Sequence, residues 1–353
     1  MTDKRNKEFI RRHIGPSSDE QKKMLSYLGY DSLDEFIKKI VPEKILETTP
    51  LKINPPISEH DALQQIKQMA NQNKVFKSFI GMGYYGTYTP NVILRNVLEN
   101  PGWYTSYTPY QPEVAQGRLE MLLNFQQMVT DLTGMDIANA SLLDEGTAAA
   151  EAVALCQRLD KNKLNKIFIS KNCNPQTIDV VKTRAEPFNL EVIIGDDKKI
   201  QTLEGEILCA LYQYPNTYGE IMGAEEFIKA AQNKNGKAIL VTDLLALTAI
   251  KPPGEMGADI VVGNSQRFGI PMGYGGPHAA FFATKDEFKR AMPGRLIGVS
   301  KDRNNDQALR MALQTREQHI RREKATSNIC TAQALLSIMA AAYGIYHGPE
   351  GIK

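Results

Sequence analysis

Short apolar runs and helical segments alternate along the chain from residue 167 onward. The apolar runs predict buried strands at residues 167–169, 190–194, 207–214, 238–242, 260–262 and 279–283. Residues 175–184 and 224–231 are predicted helices between them. This alternation predicts an α/β domain with a largely parallel sheet. Ligands of such a sheet bind beyond the carboxyl ends of its strands.

Helical signals dominate the chain before the first of these strands. Ser32 and Glu35 have the spacing of a capping box, and Ser58 is placed to cap a helix over residues 58–71. Further helices are predicted at 90–99, 116–132 and 332–342, and one opens after Asp144. We therefore divide the chain into a helical segment at 1–57, an α/β domain at 58–310 and a helical connector at 311–353.

A glycine-rich loop at residues 263–278 separates two predicted strands. It holds five glycines and two prolines, so it cannot form a regular element. Ser265, Gln266, Arg267 and His278 lie within it. A long, tightly turned loop with these polar side chains favours a functional site over a structural turn.

A second glycine motif, residues 81–86, matches the Gly-x-Gly-x-x-Gly dinucleotide pattern. That fingerprint needs a preceding strand, a helix that opens at the third glycine and an acid about 20 residues later. A helix is predicted before the motif, the next helix starts only at Pro90, and Glu99 comes too early. We interpret the segment as a flexible loop rich in aromatic residues.

Composition excludes several classes of protein. The chain has 353 residues, and its 42 basic and 40 acidic side chains favour neither nucleic acid nor membrane as a partner. No apolar run is long enough to span a bilayer. The charged start resembles neither a secretory signal nor a transit peptide, and the four cysteines lack metal-site spacing. We expect a cytoplasmic protein with reduced thiols and no metal site.

Three segments together resemble one family. Ser265-Gln266-Arg267-Phe268 precedes Pro271 and the glycines, residues 107–113 read Tyr-Thr-Pro-Tyr-Gln-Pro-Glu, and residues 116–120 read Gln-Gly-Arg-Leu-Glu. They resemble the glycine cleavage P-proteins, which are pyridoxal-phosphate (PLP) glycine decarboxylases built from two related halves. The resemblance is to the N-terminal half, which some organisms make as a separate subunit 1, and it covers essentially the whole chain.

The resemblance implies a PLP-dependent aminotransferase-like fold (fold type I) with a degenerate cofactor site. Gln266 stands where the catalytic half carries its lysine, and an amide nitrogen cannot form a Schiff base. Asp243 stands where the family places the partner of the pyridinium nitrogen, although it could merely cap the following turn. PLP would then be bound covalently by the partner subunit. Family members also continue into a small C-terminal domain after the connector.

The same resemblance implies the reaction and the partners. The lysine-bearing subunit 2 would decarboxylate glycine and pass the aminomethyl group to the lipoyl arm of H-protein. Loops of this chain would wall the shared site. The candidate residues for that wall or for the interface are Tyr107, Tyr110, Gln111, Gln266, His278 and Thr326.

Residues 144–152 also suggest a phosphate corner, because Gly146-Thr147-Ala148 opens a helix. The family's catalytic half places the phosphate there, but Asp144 and Glu145 would repel one. We interpret the segment as a relic or a purely structural helix start. Two other functions stay open: a non-catalytic scaffold that stabilises the lysine-bearing partner, and an independent PLP enzyme that uses another lysine.

Overall fold

A computed structural model describes residues 13, 15–104, 109–276, 278–313, 325–327 and 332–353 of the chain. The contacts divide it into two units, one that ends at Lys77 and one that starts at Ser78. The sequence-based division at 57/58 assigns the helix after Ser58 to the α/β domain, whereas the contacts group it with the first unit.

Three short α-helices have both ends within the described residues of the first unit. They are α1 (Ser18–Leu28), α2 (Leu33–Ile40) and α3 (Glu59–Ala70). Ser17 and Glu20 form a full capping box at α1. At α2 the predicted box is only half formed, because the Glu35 carboxylate accepts from Asp31 N instead of Ser32 N. None of the described residues of this unit is buried, so it has no core of its own.

The other α-helices whose bounds are described lie in the second unit. They are α4 (Asn91–Ile93, continued by a π-helical turn at Leu94–Leu98), α5 (Pro101–Tyr104), α6 (Gln116–Thr133), α7 (Glu145–Leu159), α8 (Pro175–Ala185), α9 (Lys199–Thr202), α10 (Ala224–Gln232) and α11 (Ala334–Ile352). The predicted helices are therefore present, with ends within a few residues except at α11, which runs well past the predicted end. Gly348 breaks the helical geometry of α11 just before Pro349.

Seven strands form one sheet. They are β1 (Ile137–Ala138), β2 (Lys166–Ser170), β3 (Glu191–Gly195), β4 (Cys209–Tyr214), β5 (Lys237–Asp243), β6 (Ile260–Asn264) and β7 (Ala280–Thr284). Their order is β1-β7-β6-β5-β4-β2-β3, parallel from β3 to β6. The strands β7 and β1 close the sheet with antiparallel pairs. The largely parallel sheet is thus confirmed.

Both faces of the sheet are buried. Ile239 packs into a core with α7 and α8, while its neighbour Leu240 packs into a core with α6, α10 and α11. Successive side chains of a strand point to opposite faces, so a sheet covered by helices on both sides needs continuous apolar runs. This explains why the strands are visible in the sequence as unbroken apolar segments.

A two-stranded hairpin was not predicted. Its strands are β8 (Ile297–Lys301) and β9 (Gln307–Met311), which pair antiparallel. Lys301, Gln307 and Arg310 are exposed, as is the apolar Val299, so neither strand has the pattern of a buried apolar run. Within the part of the chain that the structure describes, no helix is both long enough and apolar enough to cross a bilayer.

Candidate functional site

The polar groups of the candidate site meet at the carboxyl edge of the parallel strands. Asp243 ends β5 and Asn264 ends β6, and the two residues are register partners. Gln266 follows two residues later in the glycine-rich loop. The prediction that Asp243 and this loop lie together at a strand end is confirmed, since parallel strands end at one edge of the sheet.

Gln266 is completely buried and fully hydrogen-bonded. Its Nε2 donates to the carbonyl oxygens of Tyr85 and Ile270, both at 2.8 Å, and its Oε1 accepts from Tyr85 N at 3.3 Å. The amide therefore connects the loop that contains it to the 81–86 segment. Every donor and acceptor of this side chain serves packing of the chain against itself.

The 81–89 segment is fixed at further points. Gln176 Nε2 donates to Met82 O at 2.7 Å, Thr87 Oγ1 to Ile270 O at 2.7 Å, and Thr89 Oγ1 to Gly269 O at 2.6 Å. These hydrogen bonds join the segment to residues far away in sequence, so it is anchored at several points where a flexible loop was expected. No strand precedes it among the described residues, which agrees with rejection of the dinucleotide motif.

Two glycines allow the loop to pack as it does. Any Cβ at Gly263 would overlap the carbonyl oxygen of Thr242 on the neighbouring strand. Gly269 has φ +73°, and a Cβ there would lie 2.6 Å from the ring of Tyr343 on α11. Only glycine tolerates both the close approach and the left-handed backbone.

Asp243 forms an ion pair with Arg267, whose Nε lies 2.9 Å from Asp243 Oδ2. The Arg267 guanidinium also lies 5.3 Å from the ring centre of Tyr85, within cation–π distance. Burial raises the pKa of Asp243 above its ordinary value, while Arg267 and backbone N–H groups act in the opposite direction. The carboxylate that the resemblance assigns to a pyridinium nitrogen is thus neutralised by the chain's own arginine.

Glu145 is a buried carboxylate at the first turn of α7. Asn174 Nδ2 and Thr177 Oγ1 donate to Oε1 at 2.9 and 3.0 Å, and Asn264 Nδ2 donates to Oε2 at 3.1 Å. Burial raises the pKa of this carboxyl, and the three hydrogen bonds oppose that rise. The preceding carboxylate, Asp144, caps α7 by accepting from Thr147 N at 2.7 Å.

Two cavities open on either side of Glu145 and Asn264, with volumes of about 270 and 320 Å³. The smaller is lined by Met82, Gly83, Tyr84, Leu143, Asp144, Glu145, Gly146, Gln176, Val180, Asn264, Gly275, Gly276, His278 and Gln333. The larger is lined by Gly81, Met82, Gly83, Tyr85, Glu145, Asn174, Gln213, Pro215, Asn216, Thr217, Gly219, Asp243, Ala246, Asn264 and Arg267. The sequence-predicted residues Asp243 and His278 therefore line different cavities.

His278 lines the smaller cavity and is 7% exposed. Its ring lies 4.6 Å from that of Tyr84, and its Nε2 has no hydrogen-bond partner among the described residues. Burial lowers the pKa of His278, against a smaller opposing effect of Asp144. The neutral imidazole is therefore the favoured form near pH 7.

The described candidates Tyr110, Gln111 and Thr326 line neither cavity. Tyr110 packs against the cluster of α6 with β8 and β9, where burial raises the pKa of its hydroxyl despite Arg295 and Ser141. Gln111 is exposed, and Thr326 is half-buried. Tyr107 lies outside the described residues. The structure thus brings Gln266, Asp243 and His278 to one edge of the sheet and places Tyr110 elsewhere.

The residues at this edge do not fit a covalently bound PLP. The position that the resemblance assigns to the lysine holds the buried amide of Gln266, which donates to two carbonyl oxygens. The start of α7, where a phosphate would lie, carries the carboxylates of Asp144 and Glu145. Asp243 already has a cationic partner in Arg267. Each of the three contacts that would hold the cofactor is therefore made within the chain.

The described cysteines are buried thiols of low reactivity. Cys156, Cys173 and Cys209 are free and buried, and burial raises the pKa of the Cys173 and Cys209 thiols, which makes them unreactive. Among the residues that the structure describes, no three histidine, cysteine or acidic side chains are placed to hold a metal ion.

Comparison with known proteins places these features in context. The family model of the glycine cleavage system P-protein matches residues 11–353. The chain is 67% identical to the glycine dehydrogenase (decarboxylating) of Pelagibacter ubique over 98% of its length, and 58% identical to the mitochondrial glycine dehydrogenase (decarboxylating) of Pisum sativum. It spans only 36% and 33% of these relatives, about a third of their length.

Solved structures agree with the sequence comparison. A crystal structure of glycine decarboxylase (P-protein) of the glycine cleavage system, in inhibitor-bound form, superposes with a TM-score of 0.87 at 35% identity. The match covers 96% of this chain and 78% of that one. A sphingosine-1-phosphate lyase of Burkholderia pseudomallei shares the fold alone, with a TM-score of 0.59 at 13% identity over 91% of this chain and 74% of the other. The fold is that of the PLP-dependent fold type I enzymes, as the sequence predicted.

Proposed function

Because the chain belongs to the glycine cleavage system P-protein family, we propose that it is the subunit of glycine decarboxylase that lacks the PLP lysine. A lysine-bearing subunit 2 binds PLP and decarboxylates glycine, and the aminomethyl group passes to the lipoyl arm of H-protein. This chain corresponds to the N-terminal half and completes the assembly without holding the cofactor itself.

The observation that carries this proposal is the buried amide of Gln266. It fills the position that the resemblance assigns to the lysine and makes three hydrogen bonds to the chain's own backbone. Glu145 and the Asp243–Arg267 ion pair support the same conclusion, because they satisfy the other two contacts of a cofactor internally.

The exposed apolar surface of the first unit supports a partner. None of its described residues is buried, and large apolar side chains are exposed to solvent, among them Tyr27 at 91%, Leu51 at 80% and Val75 at 98%. Surfaces of this kind mark protein–protein contacts. About two-thirds of each of these two relatives lies outside the part that this chain matches. The resemblance implies that the partner is the lysine-bearing subunit.

We assign the wall of the shared site to Tyr107, Tyr110, Gln111, Gln266, His278 and Thr326. The test is alanine replacement at each position, reconstitution with the lysine-bearing subunit and measurement of glycine–bicarbonate exchange. We expect at least one exposed candidate, such as Gln111, to lose exchange activity while the pair still assembles. Unchanged exchange at all six positions would refute the assignment.

A second function, that of a non-catalytic scaffold, is favoured by the complete internal bonding of Gln266. A scaffold has no side chain that touches substrate, so its variants change assembly and turnover in parallel. Size-exclusion chromatography of each reconstituted pair, together with its exchange rate per assembled complex, separates the two functions.

A further inference from the structure

Glu145 has surroundings that are unusual for a carboxylate of a helix's first turn. Three neutral donors converge on its two oxygens, and the side chain is only 7% exposed. The donors come from three different places: Asn174 precedes α8, Thr177 lies in its first turn, and Asn264 ends β6. A cluster of this kind binds an anion.

The two asparagine donors are held in place from behind. Asn174 Oδ1 accepts from Thr217 Oγ1 at 3.0 Å, and Asn264 Oδ1 accepts from Gln266 N at 3.1 Å. Since each amide oxygen already has a donor, each Nδ2 is directed toward Glu145. The donors are thus oriented for a negative charge by hydrogen bonds that do not involve that charge.

We propose that the Glu145 carboxylate takes the place of an external anion. It fills, from within the chain, the anion corner that the donors Asn174 Nδ2, Thr177 Oγ1 and Asn264 Nδ2 form at this edge of the sheet. The corner therefore binds neither phosphate nor the phosphate group of a cofactor, and its network stays complete in the isolated chain. This inference rests on the contacts of Glu145 and does not depend on the proposed function, since its test needs no partner and no turnover.

Removal of the carboxylate tests the proposal by chemical rescue. We expect Glu145→Ala to lower the urea midpoint and acetate to raise it again saturably, because acetate supplies the missing carboxylate to the three donors. Sodium chloride at matched ionic strength provides the salt control. Glu145→Gln is the matched variant, because it fills the same volume and leaves no room for acetate.

The outcomes separate clearly. A midpoint that acetate shifts in Glu145→Ala, but not in the wild type or in Glu145→Gln, supports the proposal. An equal shift in all three proteins, or none in Glu145→Ala, overturns it. Recovery of folded Glu145→Ala only when acetate is present during refolding also counts in favour, and failure to refold with or without acetate counts against.

A second measurement uses the wild-type chain. Inorganic phosphate is titrated against its thermal midpoint, with chloride at the same ionic strength as reference. We expect no saturable shift, because the corner already holds a carboxylate. Saturable stabilisation of the wild type by phosphate would overturn the proposal even if every Glu145 variant failed to fold.

Discussion

The side-chain amide of Gln266 donates to the backbone oxygen of Tyr85 at 2.8 Å, across 181 positions of sequence. The same nitrogen donates to Ile270 O, so a single buried group fixes the glycine-rich loop to the 81–86 segment. Gln266 is therefore a structural residue.

The first prediction concerns this structural role. Gln266→Ala removes the side-chain partners of Tyr85 N and Tyr85 O, and one donor to Ile270 O, which keeps the Thr87 hydroxyl. The lost hydrogen bonds and the cavity should lower the free energy of unfolding by about 2–4 kcal/mol. Urea denaturation measures the loss. The control is Gln232→Ala, which removes an exposed amide that bonds Gly257 O and should cost about 1 kcal/mol or less. Equal losses would contradict the structural role of Gln266.

The second prediction is that lysine alone does not restore a cofactor site. We expect Gln266→Lys, incubated with PLP and dialysed, to show no visible absorbance of bound PLP, and borohydride to fix no PLP at position 266. The reason is that Glu145 still occupies the start of α7 and Arg267 still neutralises Asp243. A stable visible absorbance, with PLP that borohydride fixes at position 266, would show that Glu145 and Arg267 do not prevent cofactor binding.

The third prediction concerns the Asp243–Arg267 ion pair. Arg267→Met leaves a largely enclosed carboxylate without its cation, which should cost about 1–3 kcal/mol of unfolding free energy. Adding Asp243→Asn should recover part of that loss, because the uncompensated charge is gone. Lys251→Met, which breaks the exposed pair with Glu225, is the control and should change stability by under about 1 kcal/mol. A double mutant as unstable as the sum of both single variants would contradict the pairing.

The fourth prediction is a pH dependence. Burial raises the pKa of Glu145 and of Asp243 in the folded chain, so both bind a proton more tightly there than in the unfolded chain. Stability should therefore fall as the pH rises from the ordinary carboxyl pKa of about 4 through the raised values. Glu145→Gln removes one of these groups, so its stability relative to wild type should increase as the pH rises above the ordinary carboxyl range. Parallel curves for the two proteins would contradict the raised pKa of Glu145.

The sequence predicted most strands of the sheet because the apolar run that marks a buried strand is local in sequence. Burial on both faces leaves strands such as 238–242 as unbroken apolar runs, and Ser58 signals its helix within one turn. The hairpin of β8 and β9 was not predicted because only Ile297 and Leu309 of its strand residues are buried, so no apolar run marks it. Hydrophobic patterns and capping residues therefore predict buried strands and helix starts, but not a partly exposed hairpin.

The candidate site was predicted only in part for the same reason. Asp243 and Gln266 were found through the family resemblance, and the structure places them at one edge of the sheet. The partners Asn174, Thr177 and Asn264 were missed, because they converge on Glu145 from segments far apart in sequence. A polar residue directly after an apolar run was the available signal for such partners, and Asn264, which follows Val262-Gly263, shows it. Tyr110, chosen for its residue type, packs in a different cluster.

The most direct test of the central claim is a PLP titration of this chain, first alone and then with the lysine-bearing subunit. Visible absorbance of bound PLP and glycine–bicarbonate exchange are followed in the same samples. We predict neither bound-PLP absorbance nor exchange from the chain alone. In the mixture, we predict an exchange rate well above that of the lysine-bearing subunit by itself. Bound PLP or exchange in the chain alone would contradict it, as would a mixture no more active than the lysine-bearing subunit.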